Sequence, residues 1–275
     1  LTIWSPRVNR FFRAKLAAAP FFSDYSDEVA GGGDTVRIPH ISDSFSASDI
    51  NTTSGEVSAT NVDDTKTDLS IDKWKGTSIY LTDFQKAQIA DKYRIKDEYA
   101  STMGYTLART FDSALLDEAA DNLTYSVGDT GTDLVATNIE RAFSILGTEN
   151  VPKEDAVMFV HPTTYWGDIM NIQKYYDASQ FGKPSVPQGA HDLLYGVPVV
   201  ITSQVPTADG GGYNNMLIHR NAVVYALGNL QGPGSAGARI QEKTAEDLRV
   251  KVIADIMYGV KILNSKSGVK MQAGA

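Results

Sequence analysis

The sequence contains no cysteine in its 275 residues, which excludes a disulfide framework and any thiolate metal site. No apolar run approaches the length of about eighteen residues that a membrane-spanning helix needs. Histidine is scarce. His40, His161, His191 and His219 stand far apart, and none has a partner at the i+3 or i+4 spacing that a helical metal site uses. They read as ordinary structural histidines. There is no G-x-S-x-G elbow, and no serine sits in a recognisable nucleophile setting. Proline is missing from Thr82 to Asp121, a stretch whose single glycine is Gly104. A continuous helix of that length would reach roughly 60 Å, at about 1.5 Å per residue.

What is present is an ordinary globular composition, 42% hydrophobic and 21% charged, on a chain long enough for one large core or two modest ones. Its net charge of −8 is unevenly spread. Leu1 to Ser23 holds Arg7, Arg10, Arg13 and Lys15 and no acid, a charge of +4 that leaves −12 on the rest of the −8 chain. An acidic body argues against general nucleic-acid affinity through a basic face. The basic segment reads as a structural arm on an acidic neighbour, as an arm that also meets nucleic acid, or as a targeting peptide, since transit peptides are Arg-rich and acid-poor.

Along the chain, Phe11, Phe12 and Leu16 predict a short amphipathic helix stopped by Pro20. Gly31-Gly32-Gly33 is a joint, and Thr35 to Pro39 a strand. From Ser42 to Ser70 the composition is dominated by Ser, Thr, Asp and Asn, with a turn at Ser54-Gly55. So little apolar surface cannot offset its own ordering entropy. With the strand pattern Ser78 to Leu81, this reads as a long two-stranded excursion that must rest on another surface. Thr82-Asp83-Phe84-Gln85 has the form of a helix capping box. Apolar residues follow at helical spacing (Tyr93, Ala100, Met103, Leu107, Phe111, Ala114, Leu115, Ala119), interrupted by the charged stretch Asp91 to Asp97, where a break is expected. Asn122 to Asp133 reads as a polar turn region. The second half alternates: a helix from Val135 to Leu146 stopped by Gly147, a buried strand Ala156–Val160, and a helix Thr163–Ile172 capped by Thr163 or Thr164. Strands follow at Leu193–Ile201, Met216–His219 and Ala222–Leu227. Ile240–Ile253 and Met257–Leu263 are expected to close the chain as antiparallel strands with a helix or bend between them.

Signals for chemistry are thin. Gly232-Pro233-Gly234-Ser235-Ala236-Gly237 spells G-x-G-x-x-G, but a dinucleotide site needs a helix to start there. Arg239 to Glu242 look extended instead, so this reads as a flexible loop. Asp63-Asp64 read as solvated loop carboxylates. Asn51-Thr52-Thr53 and Asn122-Leu123-Thr124 spell glycosylation sequons, which mean nothing without secretion. No catalytic, cofactor-binding or metal residue is assigned, and no cofactor is called for.

The order of parts says more than any motif. It runs basic arm, glycine joint, strand, polar excursion, return strand, long helix, α/β half and closing strands. With the segments Asp34 to Pro39, Ile71 to Gln85, Phe159 to Tyr165, Leu194 to Val200, Leu217 to Ala222 and Tyr258 to Leu263, this order resembles the major capsid proteins of tailed bacteriophages, the Hong Kong 97 fold family. The resemblance covers nearly the whole chain. It implies an α+β fold with an N-terminal arm (1–33), a peripheral-domain strand and extended loop (34–81), and a spine helix (82–123). An axial α/β domain (124–239) and C-terminal strands completing the peripheral domain (240–275) would follow. It implies a structural, non-enzymatic coat protein that assembles through pentamers and hexamers into an icosahedral shell around double-stranded DNA. The partners implied are copies of itself, DNA contacted weakly if at all, and scaffolding, portal and cement proteins, with no membrane. The implied location is the virion, after assembly in the host cytoplasm. Some members weld subunits through a Lys–Asn isopeptide bond. Lys66 and Lys73 lie in or near the loop, but no motif marks a partner, so that chemistry is not carried over. An encapsulin-like nanocompartment, another virion structural protein and an α/β enzyme are the alternatives.

Overall fold

The computed structural model describes residues 12, 16–29, 31–41, 50, 64–82, 93–172, 193–230, 237–245 and 249–274. In chain order its elements are β1 (Ser23–Asp24), β2 (Thr35–Ile41), β3 (Asp64–Ser70), β4 (Lys73–Thr82), α1 (Tyr93–Asn122), β5 (Tyr125–Gly128), α2 (Ala136–Thr148), β6 (Ala156–Val160) and α3 (Pro162–Gly167). Then come β7 (Leu193–Leu194), β8 (Val197–Ile201), β9 (Tyr213–His219), β10 (Val223–Leu227), β11 (Arg239–Ala245), β12 (Arg249–Ile262) and β13 (Gly268–Ala273). The first sheet is ordered β1-β10-β12-β11, with β4 on the other side of β12. A second sheet runs β5-β13-β9-β6-β8-β7, and β2 and β3 form a separate antiparallel ribbon.

Period-two alternation makes these sheets into layers. On β12, Val252, Ala254, Ile256, Tyr258 and Val260 point into the main core, while Met257 packs on the opposite side. Val157 and Phe159 of β6 and Met216 and Ile218 of β9 turn toward that same core, whereas Met158, Val160 and Leu217 turn to a second one under α2 and α3. Both sheets thus present one face to α1. The helix answers with Met103, Leu107, Phe111, Leu115 and Ala119, all buried at the expected spacing. Its described part has 30 residues, about 45 Å at 1.5 Å per residue, and residues 83–92, beside the charged stretch where a break is expected, lie outside the described residues. Thr82 closes β4, and the rest of the capping box lies outside the described residues. Met103→Pro should remove a ladder bond inside this buried helix and cost about 3 kcal/mol or more. Loss of helicity by circular dichroism and of soluble protein is the expected readout.

The polar excursion begins as a ribbon, but its second strand is β3 and not the expected return strand Ser78 to Leu81, which pairs with β12: β2 and β3 pair from Thr35↔Ser70 to Ile41↔Asp64. Its base is apolar. Val36, Ile38, Leu69 and Ile71 pack with Val29, Val224 and Ala226 on the outer face of the first sheet. Residues 42–49, 51–63 and the Ser54-Gly55 turn lie outside the described residues.

Several local expectations are corrected. Gly147 does not stop α2, which runs on to Thr148, because one helical glycine costs only about 1 kcal/mol. The chain leaves instead through Asn150, whose φ of 56° makes it a left-handed terminator. Pro162 at the first helical position moves the start of α3 back, so His161 caps it by accepting from Thr163 N. The helix ends at Gly167 and a short 3-10 turn, Ile169–Asn171, follows. Leu193–Ile201 splits at Tyr195-Gly196, which turn β7 back on β8. Tyr125–Gly128, read as turn, is a strand parallel to β13 with Val127 buried. No helix or bend interrupts Ala254–Ile256. Asp255 is neutralised within the ladder by its cross-strand partner Arg239, so β12 continues for 14 residues. The C-terminal strands separate: β11 and β12 join the first sheet, but Gly268–Ala273 joins the second, while β10 of the α/β half belongs to the first.

The N-terminal segment also departs from expectation, since its described part folds on its own body. Phe12, Ala18, Ala19 and Phe22 are buried in the main core, and the Phe12 ring lies 6.0 Å from that of Phe111. Pro20 sits within a 3-10 turn, Ala19–Phe21, and most of the amphipathic helix expected before it lies outside the described residues. Asp112 on α1 accepts from three consecutive backbone amides, Ala17 N at 2.6 Å and Ala18 N and Ala19 N at 3.2 Å.

Candidate assembly surfaces

Among the described residues, those weighed for chemistry remain apart. His161 stacks on Tyr213 at 3.5 Å, and burial lowers its pKa. His219 is buried, with Nδ1 accepting from Asn221 N. The side chain of His40, His191 and Asp63 lie outside the described residues. Gly237 leads directly into β11, a strand where a dinucleotide loop requires a helix. Asn122 donates to Glu118 O on its own helix. Lys66 is exposed on β3. Among the described residues, no three His, Asp or Glu gather as metal ligands. What the fold does display is exposed aromatic and apolar surface.

The first such surface is the outer face of β4 and β12. Register places Tyr80 beside Lys251, and Trp74 beside Met257. Trp74 is 66% exposed, yet its indole donates to Asp255 Oδ2 at 3.0 Å, and Arg239 grips the same carboxylate through Nε at 3.0 Å and Nη2 at 2.6 Å. The ring is therefore oriented before anything covers it. Tyr80, 56% exposed, lies under the cations of Arg249 and Lys251 at 5.9 and 5.5 Å. Sequence reading took β4 as a return strand and missed this face. The signal was there: aromatics at 74 and 80 share a parity opposite to Ile79 and Leu81.

On the inner side of β4 a groove of about 530 Å³ runs along α1. Lys73, Lys75 and Arg109 line it together with Asp117, Glu118 and Asp121. Burial raises the Asp117 carboxyl, and Asp121 pushes it in the same direction.

The third surface lies on the second sheet's helices. A cavity of about 480 Å³ is lined by Phe143, Leu146, Gly147, Val151 and Tyr195, with Glu140 and Lys153. Tyr195 occupies the first position of the two-residue β7–β8 turn at φ 53°, followed by Gly196 at 85°. Positive φ at both positions is the turn type that suits a hairpin's twist, but glycine or asparagine is usual there. The cost is met by what the tyrosine does: its ring sits edge-on to Phe143 at 5.4 Å and its hydroxyl donates to Glu140 Oε1 at 3.0 Å. Near the start of α2, Asp168 accepts from Leu134 N at 2.8 Å, drawing the end of α3 against Val135. Trp166 and Val135 are 54% and 47% exposed.

Comparison with known proteins is consistent with surfaces made for association. The family model described as phage capsid protein matches residues 64–271. No curated protein sequence matches. Among solved structures, one from Mycobacterium phage Che8 is similar at TM-score 0.75 and 20% identity, over 93% of this chain and 90% of that one. The mature capsid of bacteriophage PhiM1 is similar at TM-score 0.68 and 14% identity, over 95% and 86%. The holo-SrpI encapsulin complex from Synechococcus elongatus is similar at TM-score 0.57 and 14% identity, over 87% and 81%.

Proposed function

This chain belongs to the phage capsid protein family, and we propose from that premise that it forms rings of five and six which close into an icosahedral shell around double-stranded DNA. It is a structural capsid protein with the α+β Hong Kong 97-type fold. The observation that carries the reading is the family match across both sheets and the spine helix. Self-association is then the protein's work, and no catalytic or cofactor residue is invoked. Closed rings need heterologous contacts whose rotation closes, and many weak contacts per subunit add up to a stable shell.

In this proposal the peripheral domain is the first sheet with α1, and the axial domain is the second sheet with α2 and α3. The ribbon β2–β3 carries the extended loop onto an adjacent subunit, and Arg7 and Arg10, ahead of the buried Phe12, reach a neighbour. The sequence ranges 34–81, 82–123 and 124–239 remain the working boundaries, with β10 exchanged into the peripheral part and β13 into the axial part. Scaffolding, portal and cement proteins are the proposed partners in the host cytoplasm, and the virion is the destination. The net charge of −8 suits an inner wall that lets DNA slide rather than gripping it.

Negative-stain microscopy of the purified protein tests this directly, with closed particles of uniform size expected. Nucleic acid inside them supports the virion reading. Enzyme cargo without DNA would make the shell encapsulin-like, and a discrete monomer or dimer at all concentrations would overturn the assembly proposal. Deleting Ser44–Asp63 leaves the β2–β3 ladder intact, so a soluble folded monomer without shells is the expected product.

A further inference from the structure

The second sheet carries a cavity and a projecting aromatic on different parts of one helix pair, and ring formation gives them a relation. We propose that Trp166 of one copy seats in the α2 cavity of the next copy around the ring. This rests on the capsid reading above and names the residues of one contact within it.

The cavity is apolar at its centre, where Phe143, Leu146 and Val151 line it. Its shape is held rather than induced. Tyr195 is fixed in a left-handed turn position and tied by its hydroxyl to Glu140. Trp166 has the attributes of an anchor. Its neighbour Tyr165 is fully buried and lies edge-on to the indole at 5.1 Å, so the short helix α3 presents Trp166 from a fixed base. Large aromatic side chains on rigid supports, entering desolvated pockets, carry most of the energy in protein contacts.

The two features do not overlap, so one subunit offers both at once. Asp168 ties the Trp166 turn to Leu134 at the start of α2, whereas Leu146 and Gly147 lie near its end, about 16 Å along the helix at 1.5 Å per residue. In the rings of the capsid reading such separate patches pair head to tail, the heterologous contact that lets each subunit bind one neighbour on either side. Charge agrees. Asp133 and Asp168 flank the tryptophan side, where burial raises the Asp168 carboxyl and the nearby Asp133 adds to that in the same direction. The cavity contributes the cation Lys153, while its acid Glu140 is engaged by Tyr195.

The structure supplies two variants that alter the contact without disturbing the subunit. Trp166→Ala removes an exposed side chain. A Cβ built at Gly147 meets nothing within 4 Å, so Gly147→Phe fills the cavity from a helical position that tolerates a side chain. Each variant alone should keep the wild-type circular dichroism spectrum and raise the concentration needed for particles at least tenfold, with monomer dominating size-exclusion profiles. Mixed in equal amounts they should give dimers and no rings, because each mixed pair holds one intact tryptophan facing one open cavity. Lys153→Glu should weaken assembly, and Asp133→Lys added to it should restore it. Wild-type shells together with normal shells from either variant would overturn this contact while leaving the capsid reading intact. A mixture that yields no dimers from two folded monomeric variants would also overturn it. A wild-type protein that forms no particles would overturn both.

Discussion

Gly259→Val is expected to separate the β2–β3 ribbon from the body and to destabilise the protein by about 3–6 kcal/mol, the burial energy of two large aliphatic side chains. Gly259 lies within β12, paired with Ala226, at the point where the chain passes from β3 to β4 across the outer face of the sheet. A Cβ there would stand 2.2 Å from the carbonyl oxygen of Ser70 and 3.1 Å from Ile71 Cα. Both obstacles are backbone, and the crossing is pinned by Ile71 N donating to Asp34 O at 2.7 Å. No rotamer change relieves the clash, so the ribbon must lift, exposing Leu69 and Ile71, which are 0% and 8% exposed in place. Urea denaturation should show the loss, and proteolysis should cut first near the ribbon. Gly147→Ala provides the contrast. Its Cβ meets open space, and replacing a helical glycine should leave stability unchanged or raise it by about 0.5–1 kcal/mol.

Asp112→Ala is the second large effect. It orphans three amides that share one carboxylate, each buried unsatisfied donor costing about 1–3 kcal/mol. A loss of roughly 3–5 kcal/mol is expected, with Phe12 and Phe22 drawn out of the core beside it. Asp112→Asn keeps one carbonyl oxygen for Ala18 and Ala19, and should recover more than half of that. The pH dependence has a definite sign. Burial raises the Asp112 carboxyl above its ordinary value, and the three amide bonds only partly oppose that. The folded protein therefore holds this proton more tightly than the unfolded chain does. The Asp112 contribution is at its greatest at acid pH and falls as pH rises from the ordinary carboxylate range through the raised value. Denaturation midpoints compared at several pH values should show that fall in the wild type. The Asn variant should lack it.

The sequence was most readable where one periodicity dominates. The apolar stripe of α1 and the all-buried run Ala156–Val160 are unambiguous because their neighbours in sequence and in space want the same thing. Three features escaped for physical reasons. β13 was missed because its only signal, Val269, Met271 and Ala273 at alternate positions, is brief, and its partners β5 and β9 are distant in sequence. The continuity of β12 was hidden by Asp255, whose acceptability depends on Arg239 across the ladder. Asp112 looked like an ordinary surface acid on a long helix. Its partners are backbone amides about 95 positions away, and no residue pattern announces a backbone donor. The assembly surfaces were legible only as categories. A long polar excursion says that something must cover it, but the exposed faces of Trp74, Tyr80 and Trp166 emerge only once neighbouring strands and helices fix which side is bare.

The carboxylate of Asp112 also acts as a mooring point. It fastens the chain at Ala17, five residues after Phe12, whose ring is itself buried against Phe111. Arg13 and Lys15 are thereby held between two fixed points, and Arg7, five residues before Phe12, can stand at most about 18 Å from it at 3.3–3.6 Å per residue. Within a tether of that length, local concentrations reach the millimolar range. An acidic patch inside that radius is met continually without needing strong affinity, and one outside it is never met. Moving the mooring along α1 would redraw the set of neighbours those cations can touch.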